Sequence, residues 1–330
     1  MSLISREVHL VVRPEGVPEP THFAVRERRV PELEVGELLI RNRVMSVDPY
    51  MRPRLSSGLT PLDTVLDGGA VGEVVASRNA AFPEGAQVLH GKGFREFAVS
   101  DGKGVEVIEV SHEGWGAHLG VLGMTGFTAY AGLLEVGELK AGERVFVSAA
   151  AGAVGSVAAQ IARIKGCYVG GSAGSAEKCK WLRDVARLDA VVNYRDGVLR
   201  KLLKKAFPEG IDVFFDNVGG EHLNAALPRM RMRGRIPLCG MISSYNNKGA
   251  LSDGITTLST MMYNRLTMRG FIQSDYLHLR PQFLAEMRRW IASGELRYAE
   301  TVFDGIERAP EALIGLLRGD NLGKMLVRLN

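Results

Sequence analysis

The stretch Arg144–Gly155, RVFVSAAAGAVG, constrains this chain more than any other. Val145–Ser148 has the length and apolar character of a buried strand, and it runs into a turn of small residues. Val154, Val157, Ala158, Ile161 and Ile164 then recur at helical spacing. The turn fits a relaxed G-x-G-x-x-G pattern, with Ala150, Gly152 and Gly155 at the three glycine places. Ala150 is compatible with the first place only if its φ stays negative. A strand, a tight turn and a helix start in this order gather unpaired backbone N–H groups at one point, where a pyrophosphate is stabilised. Gly152, Ala153, Val154 and Gly155 are the expected cradle.

The chain has 330 residues, beyond the roughly 250–300 at which a single core stops growing, so two domains are expected. From Arg6 to about Gly120 the pattern is β-like. Glu7–Val12, Leu38–Val44, Ala70–Val75 and Phe94–Ser100 alternate, and helical periods are nearly absent. From Leu122 the texture becomes small and apolar, with a helix expected after Thr125. Strands are then expected at Tyr168–Gly171, Ala190–Asn193, Ile211–Phe215, Arg235–Cys239 and Leu266–Ile272. Helical segments separate the earlier ones at Ala176–Arg187 and around Leu199–Ala206. That alternation predicts a doubly wound parallel sheet. Pro237 sits awkwardly in the fifth strand because it lacks an N–H, so a local defect is expected there. A helix at Pro310–Arg318 and an alternating segment at Lys324–Leu329 are expected to return to the first domain, bringing Asp320–Gly323 near a domain cleft. The expected division is 1–124 with 300–330 against 125–299.

Composition removes several classes. Lys and Arg number 41 against 37 Asp and Glu, a net +4 too slight to argue for nucleic acid. No apolar run reaches the roughly 18 residues of a membrane span, and the first residues lack a signal peptide's apolar core. Cys167, Cys179 and Cys239 have no C-x-x-C spacing, which suits a reducing compartment; a cytoplasmic location is expected. The seven histidines show no paired spacing for zinc, and there is no G-x-S-x-G nucleophile turn. No metal is expected. Direct hydride transfer is the simplest chemistry for a nicotinamide-binding chain with neither metal nor nucleophile.

The second strand ends in GGSAGSAEK, with Ser172 and Ser175 at its mouth and no acidic residue there; Glu177 comes only in the next helix. An acid at the mouth would hold ribose hydroxyls and repel a 2′-phosphate, whereas hydroxyls and Lys178 can accept one. NADP(H) is therefore expected, although Lys178 also reads as a solvated helix lysine. Tyr194 is placed to meet adenine or phosphate, and Arg195 is either a second phosphate group or an ordinary exposed arginine. Asn217 either contacts the ribose or caps its turn, and Cys239, Gly240 and Ser243 close the next strand similarly. Tyr50, in VMSVDPYMR, and Tyr263, in MMYNRLTMRGF, are the candidate donors to a developing oxyanion. A tyrosine phenol ordinarily titrates near 10 and keeps its proton at neutral pH.

Taken in order, VDPYMR, GMTGFTAY, VSAAAGAVGSVAAQIA, GSAGSAEK, NYR, DNVGGE, RGRIPLCGMIS and NLGKMLVRL resemble the zinc-independent medium-chain dehydrogenase/reductase superfamily. They are most similar to its branch of leukotriene B4 12-hydroxydehydrogenase/prostaglandin reductases, plant double-bond reductases and bacterial relatives. The resemblance covers nearly the whole chain. It implies an α/β architecture, with a GroES-like, mostly antiparallel β domain joined to a doubly wound Rossmann domain. It also implies NADPH-dependent reduction of the C=C bond of α,β-unsaturated ketones or aldehydes, with hydride delivered to the β carbon. Carried across by motif, Lys178 and Tyr194 fall on the 2′-phosphate group and Asn321 on the nicotinamide side. Met124, Thr128 and Phe271 join the cofactor site. Tyr50 lines the substrate cleft, and Tyr263 meets the carbonyl or donates the proton.

A homodimer through the sixth-strand edge is implied as well. Three departures stand out: Arg195 where lysine is usual, Pro237 in place of a small or aliphatic residue, and no Trp in HGKGFREFAVS. A quinone reductase of the same superfamily and a non-enzymatic NADPH-binding protein are the competing expectations.

Overall fold

The computed structural model describes residues 3–247 and 254–329. The chain divides into two compact units, one running to Gly120 and resuming at Glu300, the other spanning Val121–Ala299. The first unit begins with β1 (Ile4–Leu10), β2 (Phe23–Arg29), β3 (Leu38–Ser46), α1 (Met51–Ser57) and β4 (Thr64–Val65). It continues through β5 (Ala70–Ser77), β6 (Gln87–His90), β7 (Phe97–Ser100), β8 (Glu106–Val107) and α2 (Gly114–Ala117). β2, β1 and β4 form a small antiparallel sheet. The larger sheet is built around β3, which pairs antiparallel with both β5 and β7. Leu38 and Ile40 pack with Val74, Val88 and Ala98, while Val44 packs with Val71, Leu119 and Leu326. β3 is buried along most of its length for that reason, and its polar Asn42 is satisfied by the carbonyls of Lys92 and Arg95. The helix α1 was not expected. It is a short turn between strands, too brief to show a helical period.

The second unit carries six parallel strands: β9 (Arg144–Val147), β10 (Tyr168–Ala173), β11 (Ala190–Asn193), β12 (Ile211–Phe215), β13 (Met230–Leu238) and β14 (Thr267–Gly270). Their order is β11-β10-β9-β12-β13-β14, the doubly wound arrangement in which strand order reverses beside the first strand. Its helices are α3 (Met124–Ala131), α4 (Ala153–Ile164), α5 (Ala176–Asp184), α6 (Leu199–Ala206), α7 (Gly220–Ala226), α8 (Ser259–Tyr263) and α9 (Arg280–Ala292). No element is expected from the sequence at α9. Its buried Phe283, Met287 and Trp290 do carry the helical period.

Pro237 is accommodated without losing register. β12 meets β13 at Val213–Arg235 and again at Asp216–Leu238, and Pro237 lies in the gap between these pairs. Its carbonyl accepts the Asp216 N–H at 3.0 Å, so its missing donor faces β12. On the other side the pairing with β14 runs unbroken through Pro237–Arg269.

The tail comprises β15 (Glu300–Asp304), α10 (Ala309–Arg318) and β16 (Lys324–Arg328). β16 pairs antiparallel with β3 and parallel with β15. Ala309, Ala312, Leu313 and Leu316 of α10 enter the same core as Met45, Met51 and Leu55. A buried ion pair ties this tail to the turn before α1. Lys324 Nζ donates to Asp48 Oδ1 at 2.7 Å and to the Val47 carbonyl at 2.9 Å, with the two side chains 4% and 3% exposed. The Ser46 hydroxyl also donates to Asp48.

Removing one partner of such a pair leaves the other charge buried without compensation. Lys324→Met is expected to destabilise the first unit by about 3–5 kcal/mol, and adding Asp48→Asn should recover part of the loss. Urea unfolding measures both, and an unchanged midpoint in Lys324→Met would remove the ion pair from the account of this unit.

Candidate functional site

The turn from β9 into α4 is held from both sides. Ser148 N–H donates to the Phe215 carbonyl at 3.1 Å, and Ala150 N–H to the Ser172 carbonyl at 2.8 Å. The positive φ falls on Ala149, at 48°, while Ala150 at the first glycine place keeps a negative φ. Gly152 begins α4 with φ −84°, no side chain caps the helix, and its first turn has no acidic residue. Unpaired N–H groups with no competing carboxylate suit an anion. A Cβ at Gly155 would run into the Ala149 carbonyl, so only glycine allows the helix to start this close to the turn.

A buried polar cluster lies under this turn, at the ends of β9 and β12. Asp216 is fully buried and accepts from Ser148 Oγ at 2.8 Å, Val218 N at 2.9 Å and Gly219 N at 3.1 Å. Burial raises its carboxyl above the usual range, against the pull of those donors. Ser148 Oγ accepts the Asn217 N–H, and Asn217 Nδ2 donates to the Ser148 carbonyl, both at 2.8 Å. The Asn217 side chain is thereby fixed in orientation.

At the end of β10 the residues separate into two layers. Ser172 is fully buried and hydrogen-bonded to His222 Nε2 at 3.1 Å; it does not reach the strand mouth where the sequence reading put it. Ser175 caps α5, its Oγ accepting the Lys178 N–H at 3.3 Å. Lys178 is half-buried and Glu177 exposed. Tyr194 donates its N–H to the Ala173 carbonyl at 3.2 Å, and its ring stands 5.2 Å from that of His222 at 77°. The Arg195 guanidinium lies 6.0 Å from the Tyr194 ring. Ser175, Lys178 and Tyr194 therefore share the outer layer. His222, which the sequence reading noted only as one of seven unpaired histidines, supports Tyr194 from beneath. Nothing in its spacing marks it.

Gly240 N–H and Cys239 N–H both donate to the Asp216 carbonyl. Burial pushes the Cys239 thiol up to about 12, so it stays neutral. Ser243 Oγ donates to the Val218 carbonyl at 2.6 Å. Thr128 Oγ1 donates to the carbonyl of Met124, which is exposed at the start of α3. The Phe271 ring packs 6.3 Å from Phe215 and over Gly132, where a Cβ would strike it. Tyr263 ends α8 immediately before β14 and is 69% exposed. Tyr50 and Asn321 belong to the first unit. Tyr50 packs against its core beside α1, and burial, with the Asp48 charge adding, pushes its phenol up to about 12. Asn321 is buried and donates from Nδ2 to the Gly323 carbonyl at 2.7 Å. Among the described residues no three His, Cys, Asp or Glu side chains converge as a metal site would require.

A doubly wound unit with an uncapped helix at its first glycine-rich turn, carried with a β-rich unit, defines a dinucleotide-dependent oxidoreductase of the medium-chain type. Residues 6–108 match the family model described as the N-terminal domain of oxidoreductase, and residues 153–293 the one described as zinc-binding dehydrogenase. The chain is 39% identical over 330 residues to the NADPH-dependent curcumin reductase of Escherichia coli (strain K12), covering 97% of this chain and 95% of that one. Prostaglandin reductase 1 of Rattus norvegicus is 41% identical over 325 residues, covering 95% and 96%. The crystal structure of CurA in complex with NADPH from Vibrio vulnificus has a TM-score of 0.93 at 40% identity, covering 98% and 99%. The chain belongs to the zinc-independent medium-chain dehydrogenase/reductase superfamily, in the branch of the prostaglandin and curcumin reductases.

Burial pushes the His222 imidazole down from its usual 6.5 to about 4. As pH falls below about 6.5 the unfolded chain binds a proton there while the folded chain does not until about 4. Stability contributed by this group is therefore complete above that window and declines through it, by about 3 kcal/mol in total. Urea unfolding of wild type and His222→Phe between about pH 7.5 and 4.5 measures the difference. Identical pH slopes in the two proteins would contradict it.

Proposed function

We propose that the chain is an NADPH-dependent enzyme that reduces the C=C bond of α,β-unsaturated ketones and aldehydes. One observation carries this reading: the outer end of β10 offers the Ser175 hydroxyl, Lys178 and Tyr194 with no carboxylate at the strand end itself. A 2′-phosphate is stabilised by such donors, and an acid in their place would exclude it. The similarity to an NADPH complex supports the same cofactor. The residues present fit the dinucleotide: the uncapped start of α4 and the missing Cβ of Gly155 suit a pyrophosphate at Gly152, Ala153, Val154 and Gly155. Asn217, Cys239, Gly240 and Ser243 would serve the ribose, and Met124, Thr128, Phe271 and Asn321 the nicotinamide side. Bound NADPH supplies a hydride to the β carbon of the substrate.

The chain's part is then placement and charge stabilisation. Negative charge develops on the carbonyl oxygen as the β carbon is reduced, and a donor held there lowers the barrier. Tyr263 is assigned that donor role, and Tyr50, whose phenol keeps its proton far above neutral pH, lines the substrate cleft. The substrate is a small apolar enone, 2-alkenal or 15-oxoprostaglandin-type ketone. The open edge of β14, with Thr267 and Gly270 exposed and Ile272 and Met262 exposed nearby, favours a homodimer formed by edge pairing.

NADPH oxidation across a panel of enones, enals and quinones, with product analysis, tests the reading. Saturated carbonyl products are expected. Hydroquinones alone would make the chain a quinone reductase, and no turnover on any of the three would make it a non-enzymatic binding protein. Within the same assay, Tyr263→Phe is expected to lower kcat by about 10-fold, within a range of roughly 10–1000-fold, while NADPH affinity stays close to wild type. Wild-type kcat in that variant would reduce Tyr263 to a wall of the site.

A further inference from the structure

Tyr194 follows β11, which stands at one end of the strand order, so among the described residues no strand beyond supports it. Its backbone is anchored by one hydrogen bond to Ala173, and its side chain lies between two walls. One wall is Gly174, where an added Cβ would collide with the Tyr194 hydroxyl. The other is the His222 ring, met nearly at right angles. His222 comes from α7, which follows β12, and is itself 6% exposed and bonded to the buried Ser172 hydroxyl. A buried chain of contacts thus runs from Ser172 near the end of β10, through α7, to a tyrosine that is 37% exposed at the strand mouth.

We propose that His222, oriented by Ser172, is a specificity-positioning residue that sets Tyr194 against Gly174 and so selects a 2′-phosphorylated dinucleotide over its unphosphorylated counterpart. This rests on the reading of Lys178 and Tyr194 as the 2′-phosphate group. His222 is neutral at pH 7 because burial depresses its basicity, so it contributes no charge to the phosphate and acts through the tyrosine. A phenol donor makes a stronger bond to a phosphate oxygen than to a ribose hydroxyl. Loss of its placement therefore falls on the phosphorylated cofactor.

The test measures dissociation constants for NADPH, NADH, 2′,5′-ADP and 5′-AMP in folded, full-length variants. His222→Ala and Gly174→Ala should each weaken NADPH and 2′,5′-ADP by about 5–30-fold and leave NADH and 5′-AMP within about twofold. Gly174 has no positive φ, and the atoms nearest an added methyl all belong to the Tyr194 phenol, at the partly exposed end of that side chain, so this second variant keeps the question open to measurement if His222→Ala folds poorly. In a Tyr194→Ala background neither substitution should cost anything further, the signature of residues acting through a shared partner. Additive losses in that background, or equal losses for NADPH and NADH, would overturn the proposal. Lys178→Ala serves as the separate control: unchanged NADPH affinity there would overturn the phosphate reading itself, independently of His222.

Discussion

The cofactor side of the second unit depends on one buried carboxylate. Asp216 sits where strand order reverses, at the end of β12 beside β9, and it gathers the Ser148 hydroxyl and the N–H groups of Val218 and Gly219. Backbone groups at strand ends lose their ladder partners and must find others when buried. Here Asp216 supplies them through its side chain, while its carbonyl takes the N–H groups of Cys239 and Gly240. Three turns are fixed by this residue, and with them the orientation of Asn217. The cost is the desolvation of the carboxyl, offset by hydrogen bonds from Val218, Gly219 and Ser148 that favour its charged form.

Strand identity in the second unit was legible because parallel strands are apolar throughout and bounded by turns. β11 and β12 have the expected limits, Ala190–Asn193 and Ile211–Phe215. The same property misled the reading of Ser172. A serine near a strand end reads as a mouth residue, but β10 is covered on both faces, and Val169–Ala173 are all buried. The condition set on Ala150 is met, since its φ stays negative; the positive φ falls one residue earlier, on Ala149, which the pattern could not locate because it records small size and not φ. In the first unit β2, β4, β6, β8 and β15 went unseen; β4 and β8 are two residues each, and β2 is mostly arginine and glutamate at an exposed sheet edge, with little alternation to read. His222 lay beyond sequence reasoning altogether, because its partners Ser172 and Tyr194 come from two other strand ends.

The two candidate phenols occupy contrasting environments, each within its own unit. Tyr50 follows Asp48 and Pro49, and the Lys324–Asp48 pair holds that turn against β16. Burial and the nearby carboxylate both disfavour its ionised form, so it remains a donor throughout the range in which a folded enzyme works. The same residues explain why the tail belongs with the first unit. Lys324 reaches the Val47 carbonyl as well as Asp48, so the alternating segment at the end of the chain is both a strand and a brace.

Net charge contributes little to the proposed phosphate selectivity. The chain carries only +4 overall, and Glu177 in the first turn of α5 opposes Lys178 one residue later. The Ser175 and Tyr194 hydroxyls are neutral, and the Arg195 guanidinium lies 6.0 Å from the Tyr194 ring. The Ser175 oxygen already accepts the Lys178 N–H while its hydroxyl can still donate, and Tyr194 offers a phenol just past the edge strand β11. Exposed charge attraction is screened over about 10 Å at ordinary ionic strength, whereas a directed hydrogen bond is not. On the proposed reading, two hydroxyls beside Lys178 and Arg195 would add discrimination by geometry to the attraction of charge. On the same reading, that geometry would be set by the buried His222 and Ser172 beneath the Tyr194 ring.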